Sequence, residues 1–342
     1  MQVIASRPLG HTGLSVSELG FGAAPIGDLY THVEEAEAFA AVTAARAAGI
    51  TLVDTSPHYG NGLSELRLGA GLRQQGRDGI VLSTKIGRVM DPRHRPAAPT
   101  PGGVSPGFAG GLPHRAAFDY SYDGTLRSFE HSLLRLGTDR IDLLLIHDVD
   151  VWTHGEQFET RFREAMDGAY QALVRLRDEG VVRAIGVGIN EAAICARFAE
   201  AGDFDVVLMA GHYSLLEQGA AERLLPIALA RGIGVILGGV YNSGILATGA
   251  IPEARFNYRP APPPILERVR RMEEICREYR VALAEVALRC ALAHPAVSAV
   301  VLGMVSPAEV ARNIAALGRE IPAGVWAELK AAGLLPASAP TP

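Results

Sequence analysis

Cysteine, long apolar runs and clusters of basic residues are all scarce in this chain of 342 residues. The three cysteines, Cys195, Cys276 and Cys290, are far apart in segments with helical character, so we expect buried thiols rather than disulfides or a zinc site. Reduced thiols are typical of the cytoplasm, where we expect the protein. The first residues lack the apolar core of a secretory signal, and no run of about 18 apolar residues is present that could span a membrane.

The charge pattern also argues against several kinds of partner. The net charge is −5 and no block of like charge occurs, which disfavours nucleic acid as a ligand. The paired histidine and glutamate spacing of zinc enzymes is absent, so we expect no metal. A hydrophobic content of 48% with 20% charged residues is typical of a globular domain with a full core. We therefore expect a small-molecule ligand, and the oligomeric state is left open.

Strand and helix patterns alternate along nearly the whole chain. After a predicted N-terminal hairpin, apolar strand candidates centre near residues 22, 52, 82, 144, 185, 208, 235 and 300. Each is followed by helical periodicity, and continuous apolar strands are typical of a parallel sheet covered on both faces. No strand opens into the G-x-G-x-x-G turn of a Rossmann fold. The sequence thus predicts a single (β/α)8 TIM barrel over residues 1–335, with extra helices and a disordered tail at 336–342.

One segment interrupts this alternation. Residues 88–119 are rich in proline and glycine and have little periodicity. We interpret them as a long loop within the domain, because strand and helix patterns resume directly afterwards. Loops of this length are usually lids or binding segments, or else disordered.

Ionisable side chains follow three successive predicted strands. Asp54 ends the second strand, Lys85 the third and His147 the fourth, and Tyr59 lies five residues beyond Asp54. Taken singly, Asp54 could cap a turn, Lys85 could reach out to solvent, and His147 could be a core histidine. In a barrel, however, the carboxyl ends of the strands form the catalytic face. The pattern indicates hydride transfer with proton transfer through Tyr59.

Each of the supporting residues has an expected part in this chemistry. A phenol has a pKa of about 10, and a neighbouring ammonium group at Lys85 is expected to lower the pKa of Tyr59. Asp54 would keep Lys85 charged and oriented. His147 would bind the substrate oxygen or relay a proton.

Three motifs, which carry these four residues, together resemble the aldo-keto reductase superfamily. They are DTSPHYG with Asp54 and Tyr59, LSTKIG with Lys85, and DLLLIHD with His147. The resemblance implies a nicotinamide cofactor across the barrel mouth, with Tyr59 as acid in reduction and base in oxidation. The segments GRVM, GVGIN, AGHYSLLEQ and GGVYNSGIL are similar to the branch that holds L-fucose and D-threo-aldose 1-dehydrogenases and pyridoxal 4-dehydrogenase. That branch implies NAD-dependent oxidation of a cyclic hemiacetal to a lactone.

The resemblance also implies where the cofactor binds, with several departures from the family pattern. Ala210 stands where the family often has glutamine, three residues before Tyr213, and Gly238 stands where an aromatic often stacks on the nicotinamide. Gly303 and Glu309 stand where users of NADP place basic residues, so we expect NAD. The expected cofactor-binding residues are Gly22, Asp54, Asn190, Gly238, Gly303, Met304, Ser306, Glu309 and Asn313.

The substrate is expected to contact His58, Tyr59, His147 and Trp152. Polar residues in nearby loops, His114, Arg115 and His154, favour an aldose of the L-fucose or D-threo-aldose type. Three alternatives are left open. These are pyridoxal oxidation to 4-pyridoxolactone, NADPH-dependent reduction of aldehydes or ketones, and a non-catalytic barrel subunit that senses the cofactor.

Overall fold

Eight parallel strands close into a barrel in the computed structural model, which describes residues 4–93 and 107–342. Each strand pairs with its neighbour in chain order, and the last pairs with the first. The predicted (β/α)8 fold is confirmed. The barrel strands, numbered one to eight in chain order, are Leu19–Gly22, Leu52–Asp54, Val81–Ile86, Leu143–His147, Ala184–Ile189, Val206–Ala210, Gly234–Gly238 and Val297–Gly303.

Helices surround the barrel, and their apolar faces pack on the outside of the strands. The principal helices are Glu35–Ala47, Leu63–Gln75, Tyr122–Leu136, Phe158–Glu164, Tyr170–Asp178, Ala192–Ala201, Leu224–Arg231, Pro263–Glu278, Leu283–Ala291, Pro307–Leu317 and Ala323–Ala331. The helix Phe158–Glu164 continues through a π-helical turn at Ala165–Ala169 into the helix Tyr170–Asp178. Within the described ranges, no helix has the length and apolar character needed to cross a bilayer.

The predicted N-terminal hairpin is present, and it closes one end of the barrel. Ser6–Pro8 pairs with Ser15–Ser17, and Leu9, Leu14 and Val16 pack into the apolar residues that fill the barrel interior. This hairpin lies at the amino-terminal ends of the strands, since His11 and Gly10 contact the turn before barrel strand seven. The opposite end, where the strands finish, is therefore the open end.

Two further hairpins lie beyond the barrel strands. Arg88–Asp91 pairs with Arg115–Phe118, and Arg255–Phe256 pairs with Arg259–Pro260. The first pair corrects the prediction of a simple loop over residues 88–119. Its two arms are too short to show a strand period and lie more than twenty residues apart. The middle of that predicted loop, 94–106, lies outside the described residues.

The C-terminal helices form a second apolar cluster with their own core. Val325, Trp326 and Leu329 pack there with Leu334 and Leu335. Ala339, in the tail for which we expected disorder, is 6% exposed and belongs to the same cluster. The tail is held because this small apolar side chain has a neighbouring surface to cover. All three cysteines are buried and free, as predicted.

Candidate active site at the carboxyl ends of the strands

Lys85 is the centre of the site at the open end of the barrel. Its Nζ donates hydrogen bonds to Asp54 Oδ2 at 2.7 Å, to the Thr55 carbonyl at 2.8 Å and to Tyr59 Oη at 3.2 Å. The ammonium has three protons, and these three acceptors use all of them. Lys85 is 1% exposed and Asp54 3%, so the ion pair is fully desolvated. Lys85 is one of two lysines in the chain; the other, Lys330, is half-buried in the last helix.

Asp54, Tyr59 and Lys85 form a trio of ionisable groups, and the pKa shift of one of them differs from the expectation. Burial alone would lower the pKa of Lys85, but Asp54 and Tyr59 outweigh it and the pKa is raised. Lys85 therefore stays charged. Burial also raises the pKa of Tyr59, and the opposing effect of Lys85 is smaller, so the pKa is shifted upward rather than downward. The expected net lowering was wrong because sequence gives the neighbouring charge but not the degree of burial.

The turn after barrel strand two places the tyrosine. Beyond Tyr59 the backbone of Gly60, Asn61 and Gly62 has φ values of 60°, 52° and 97°, a left-handed run that favours glycine. A Cβ at Gly60 would lie 2.4 Å from the carbonyl oxygen of Gly27. The chain can therefore fold back tightly only with glycine at this position, and the phenol is directed towards Lys85.

His147 lies against the same tyrosine and has partners on both ring nitrogens. The His147 and Tyr59 rings meet edge to face with centroids 6.0 Å apart. Nδ1 lies 3.0 Å from Ser56 Oγ and 3.4 Å from Arg88 Nη1, and Nε2 lies 3.3 Å from Asp148 Oδ1. Burial holds the pKa of His147 well below its usual range, so the ring is neutral. Tyr120 Oη donates to the His147 carbonyl at 2.9 Å and fixes the strand end.

Sequence reasoning missed an aromatic side chain over the tyrosine. The Phe108 ring stacks on Tyr59 at 6.0 Å and meets His58 edge-on at 5.4 Å. Two backbone hydrogen bonds hold the segment that follows Phe108 at the open end of the barrel. The Ala109 amide donates to the Asp28 carbonyl at 2.8 Å, and the Leu112 amide donates to the Gly60 carbonyl at 2.9 Å. Phe108 is an aromatic residue in a segment rich in glycine and proline, and that contrast was the available signal.

The residues expected at the substrate side are only partly brought together. His58 lies 5.9 Å from His147 between ring centroids, and its Nδ1 is buried without a hydrogen-bond partner among the described residues. Trp152 is 58% exposed and packs under the guanidinium of Arg259 at 5.3 Å. It thus lies at the rim, beside the second hairpin.

The three polar loop residues that favoured an aldose differ in their surroundings. His154 Nε2 lies 3.0 Å from Tyr120 Oη, and its ring packs on Phe118 at 4.6 Å. The His114 carbonyl accepts from Asn61 at 3.0 Å, while Arg115 belongs to the first hairpin and is exposed. The Nδ1 atom of His114 is buried without a hydrogen-bond partner among the described residues, and the preference for an aldose over pyridoxal stays a prediction.

Small residues surround the expected nicotinamide end. Gly22, Asp54 and Gly303 end neighbouring strands and are paired in register, and Gly238 ends barrel strand seven. The Asn190 side chain, half-buried just beyond barrel strand five, makes no hydrogen bond within the described residues. Tyr213 lies away from this end: it is 1% exposed in the core against His294.

The loop after barrel strand eight leads into a capped helix. Gly303 is exposed, and a Cβ there would lie 2.6 Å from Pro25 Cγ, while Met304 is fully buried. Ser306 caps the helix Pro307–Leu317 by accepting from the Glu309 amide at 3.3 Å. Glu309 in turn accepts from the Val305 amide at 2.8 Å.

Two further residues of this helix bear on the cofactor. Arg312, which sequence reasoning overlooked, lies 3.7 Å from Glu309 Oε1. Asn313 is half-buried on the following turn. Glu309 therefore has a structural task in addition to any contact with a ligand. Throughout residues 4–93 and 107–342, no cluster of three or more potential ligands could hold a metal.

Comparison with known proteins agrees with this geometry. The sequence profile of the Aldo/keto reductase family matches residues 18–333. A pyridoxal 4-dehydrogenase from Microbacterium luteolum is 41% identical over 334 residues, covering 96% of this chain and 97% of the relative. A D-threo-aldose 1-dehydrogenase from a Pseudomonas species is 39% identical over 329 residues, covering 95% and 96%.

A solved structure shows the same architecture. The holo form of an aldo-keto reductase from Bacillus halodurans superposes with a TM-score of 0.75 at 25% identity, covering 98% of this chain and 97% of that one. The strand-end residues, the barrel and the family profile thus lead to one conclusion. The chain belongs to the aldo/keto reductase family of oxidoreductases.

Proposed function

We propose that the protein oxidises a cyclic hemiacetal to a lactone, with NAD as hydride acceptor and Tyr59 as base. The observation that carries this proposal is the contact of Tyr59 Oη with Lys85 Nζ at 3.2 Å, beside His147. A buried ammonium that touches a phenol stabilises the phenolate form. Relatives named for oxidation of pyridoxal and of D-threo-aldose support the direction of the reaction.

The residues divide the proton transfer among them. The phenolate of Tyr59 takes the hydroxyl proton of the hemiacetal. The hydrogen on the hemiacetal carbon leaves as hydride, and the lactone carbonyl forms at that carbon. Lys85, held charged by Asp54, stabilises the phenolate before the transfer. His147 donates a hydrogen bond to the oxygen on which the carbonyl develops. The nicotinamide, when bound, supplies the acceptor for the hydride.

Several features of the chain fit a nicotinamide dinucleotide. The unpartnered amide of Asn190 suits the carboxamide. The absence of a side chain at Gly22 and Gly303 leaves the backbone accessible. The amino terminus of the helix that Ser306 caps suits phosphate oxygens. Met304 and Gly238 would shape the nicotinamide end, and Asn313 the adenosine end.

The choice of NAD over NADP rests on Glu309. Its carboxylate would repel a 2′-phosphate and can accept from a free 2′-hydroxyl. Arg312, 3.7 Å from Glu309 Oε1, would attract a phosphate if it were released. We therefore expect Glu309→Gln to narrow the preference for NAD, measured by fluorescence titration of both reduced cofactors. Tighter binding of NADPH than NADH to the unaltered protein would contradict the proposal.

The substrate class is a hemiacetal in a ring, and two kinds of molecule supply one. An aldose of the L-fucose or D-threo type is the first, and its hydroxyls would meet the free Nδ1 of His58. Pyridoxal is the second, and the aromatic surface of Phe108, His58 and Tyr59 favours its flat ring. NAD reduction should be screened with L-fucose, D-arabinose, L-galactose and pyridoxal.

The Phe108 surface also offers a variant that separates the two substrates. We expect Phe108→Ala to raise KM for pyridoxal more than for an aldose, because the planar ring loses its stacking surface. The control is Leu229→Ala, which alters an exposed side chain on the helix Leu224–Arg231. It should leave both KM values unchanged. Equal effects of Phe108→Ala on both substrates would show that stacking does not select between them.

Catalysis itself is tested by Tyr59→Phe. We expect this variant to lose turnover while binding NAD normally, since only one hydroxyl is removed. Normal turnover would contradict the tyrosine mechanism. An unaltered protein that binds the cofactor but turns over none of the screened substrates, in either direction, would instead indicate a sensing subunit.

A further inference from the structure

A second ion pair lies beside His147. Arg88 Nη1 contacts Asp148 Oδ2 at 2.8 Å, and the two residues are 8% and 9% exposed. Arg88 is three residues past Lys85 at the start of the first hairpin, and Asp148 directly follows His147. The proposed chemistry makes no use of either residue so far.

The contacts of this pair determine where the proton of His147 lies. A guanidinium can only donate, and Arg88 Nη1 lies 3.4 Å from Nδ1 of His147. Ser56 Oγ, 3.0 Å from the same nitrogen, is free to donate as well. An ionised carboxylate can only accept, and Asp148 Oδ1 lies 3.3 Å from Nε2. Nδ1 is therefore an acceptor, and the proton of the neutral ring is on Nε2.

We propose that Arg88 and Asp148 are positioning residues that hold His147 with its proton on Nε2, ready to be donated as a hydrogen bond to the substrate oxygen. The inference rests on the proposed function for the identity of that oxygen. Arg88 and Ser56 present donors to Nδ1 and so exclude a proton from that nitrogen, and the ion pair with Asp148 holds the Arg88 guanidinium in place. The opposite tautomer would present a lone pair where a donor is needed.

The backbone supports this arrangement. Asp148 has φ of 53°, a conformation that a non-glycine residue adopts at some cost. Its amide donates to the Gly188 carbonyl at 3.0 Å, so the turn is held by barrel strand five. The Arg88 guanidinium lies 4.5 Å from the Phe118 ring centroid on the facing arm of its hairpin. Both partners are thus fixed independently of any ligand.

Burial keeps His147 neutral, and Arg88 limits the opposing effect of Asp148 on the pKa of His147. The charged and titratable groups around this ring are Asp148 directly after its own strand, Lys85 in barrel strand three, Arg88 beyond that strand, and His58 and Tyr59 after barrel strand two. Burial lowers the pKa of His147 first, Asp148 opposes this, and Lys85 and Arg88 add to it. Removal of the Arg88 charge would leave Asp148 with less opposition, and the pKa of His147 would rise.

Two-bond 15N–1H correlation spectra of the imidazole rings test the proposal without reference to turnover. In the unaltered protein the His147 signals, assigned by comparison with His147→Asn, should show the Nε2–H tautomer and no titration near neutral pH. A proton on Nδ1 would overturn the proposal, whether or not any substrate is found. Failure to find a hemiacetal substrate would count against the proposed function alone.

Substitutions test the consequence for catalysis. We expect Asp148→Asn to lower kcat by about 100-fold, the scale of a positioned proton donor, with unchanged cofactor affinity. Arg88→Met should lower kcat and add an acidic limb to its pH profile, and Arg88→Lys should restore part of both. The control is Arg93→Met, which removes the 73%-exposed partner of Asp91 just beyond the same hairpin strand and should change neither. A folded Arg88→Met protein with an unaltered pH profile would refute the role.

Discussion

Replacement of Lys85 by methionine offers a quantitative test of the buried pair. Lys85 and Asp54 are 2.7 Å apart, for which Coulomb's law with an effective dielectric constant of about 20 gives an attraction of about 6 kcal/mol. Much of this is offset by the cost of removing both charges from water. Loss of one partner alone leaves an uncompensated carboxylate, which costs about 3–5 kcal/mol. We therefore expect Lys85→Met to be strongly destabilised as well as inactive.

The double variant separates stability from catalysis. In Asp54→Asn/Lys85→Met no buried charge is left unpaired, so we expect it to regain about 2–3 kcal/mol of unfolding free energy relative to Lys85→Met. It should regain no turnover, because Tyr59 still lacks the ammonium. Urea denaturation followed by circular dichroism gives the coupling energy of the complete cycle.

Lys330→Met is the matched control, since it removes the other lysine from a half-buried position. Its unfolding free energy should change by less than about 1 kcal/mol. A coupling energy between Asp54 and Lys85 below about 1 kcal/mol, the range of surface pairs, would refute the reasoning. Recovered turnover in the double variant would refute the role assigned to Lys85.

Other consequences follow from the same geometry. Because burial raises the pKa of Tyr59, kcat for oxidation should still be rising with pH at about pH 9, and a plateau reached at neutral pH would contradict this. Burial, then Arg88, lowers the pKa of His58 from 6.5 to about 4. As the pH falls from 6.5 to about 4, His58 therefore binds a proton in the unfolded chain but not in the folded protein. The free energy of unfolding falls by up to about 3 kcal/mol over this range. His58→Asn should lose less over the same window in urea titrations. Finally, Gly69→Ala should cost about 1–3 kcal/mol by urea denaturation, because its Cβ would lie 2.1 Å from the Leu136 carbonyl. If the alanine variant were as stable as the unaltered protein, the helices Leu63–Gln75 and Tyr122–Leu136 could move apart at no cost.

The barrel and its central trio were accessible from the sequence for a simple geometric reason. Parallel strands in a barrel finish at the same end, so residues that end successive strands become neighbours. Asp54 and Lys85 are accordingly in contact, although 31 positions separate them. His147 follows by the same rule from the next strand.

The surroundings of His147 could not be predicted in the same way. Arg88 and Asp148 stand next to predicted site residues, but their contact depends on a hairpin whose second arm begins only at Arg115. No local sequence pattern predicts the pairing of the two hairpin strands. Phe108 likewise reaches Tyr59 only through backbone hydrogen bonds to distant turns.

Properties that depend on burial were also hidden. The direction of the Tyr59 pKa shift is set by the competition between burial and one neighbouring charge. The sequence reveals the charge but not the burial. Glu309 was expected near the cofactor ribose, and its carboxylate also accepts from the Val305 amide in the loop before its own helix. A capping role and a binding role use the same residue type and spacing.

The scarcity of lysine has a chemical consequence for a protein of this family. Reducing sugars and pyridoxal are reactive carbonyl compounds that condense with unprotonated amines. Here one ε-amine is buried, charged and committed to three acceptors, and the other is half-buried in a helix. Arginine carries nearly all the remaining positive charge and stays protonated. The surface therefore offers carbonyl compounds few sites for imine formation and glycation.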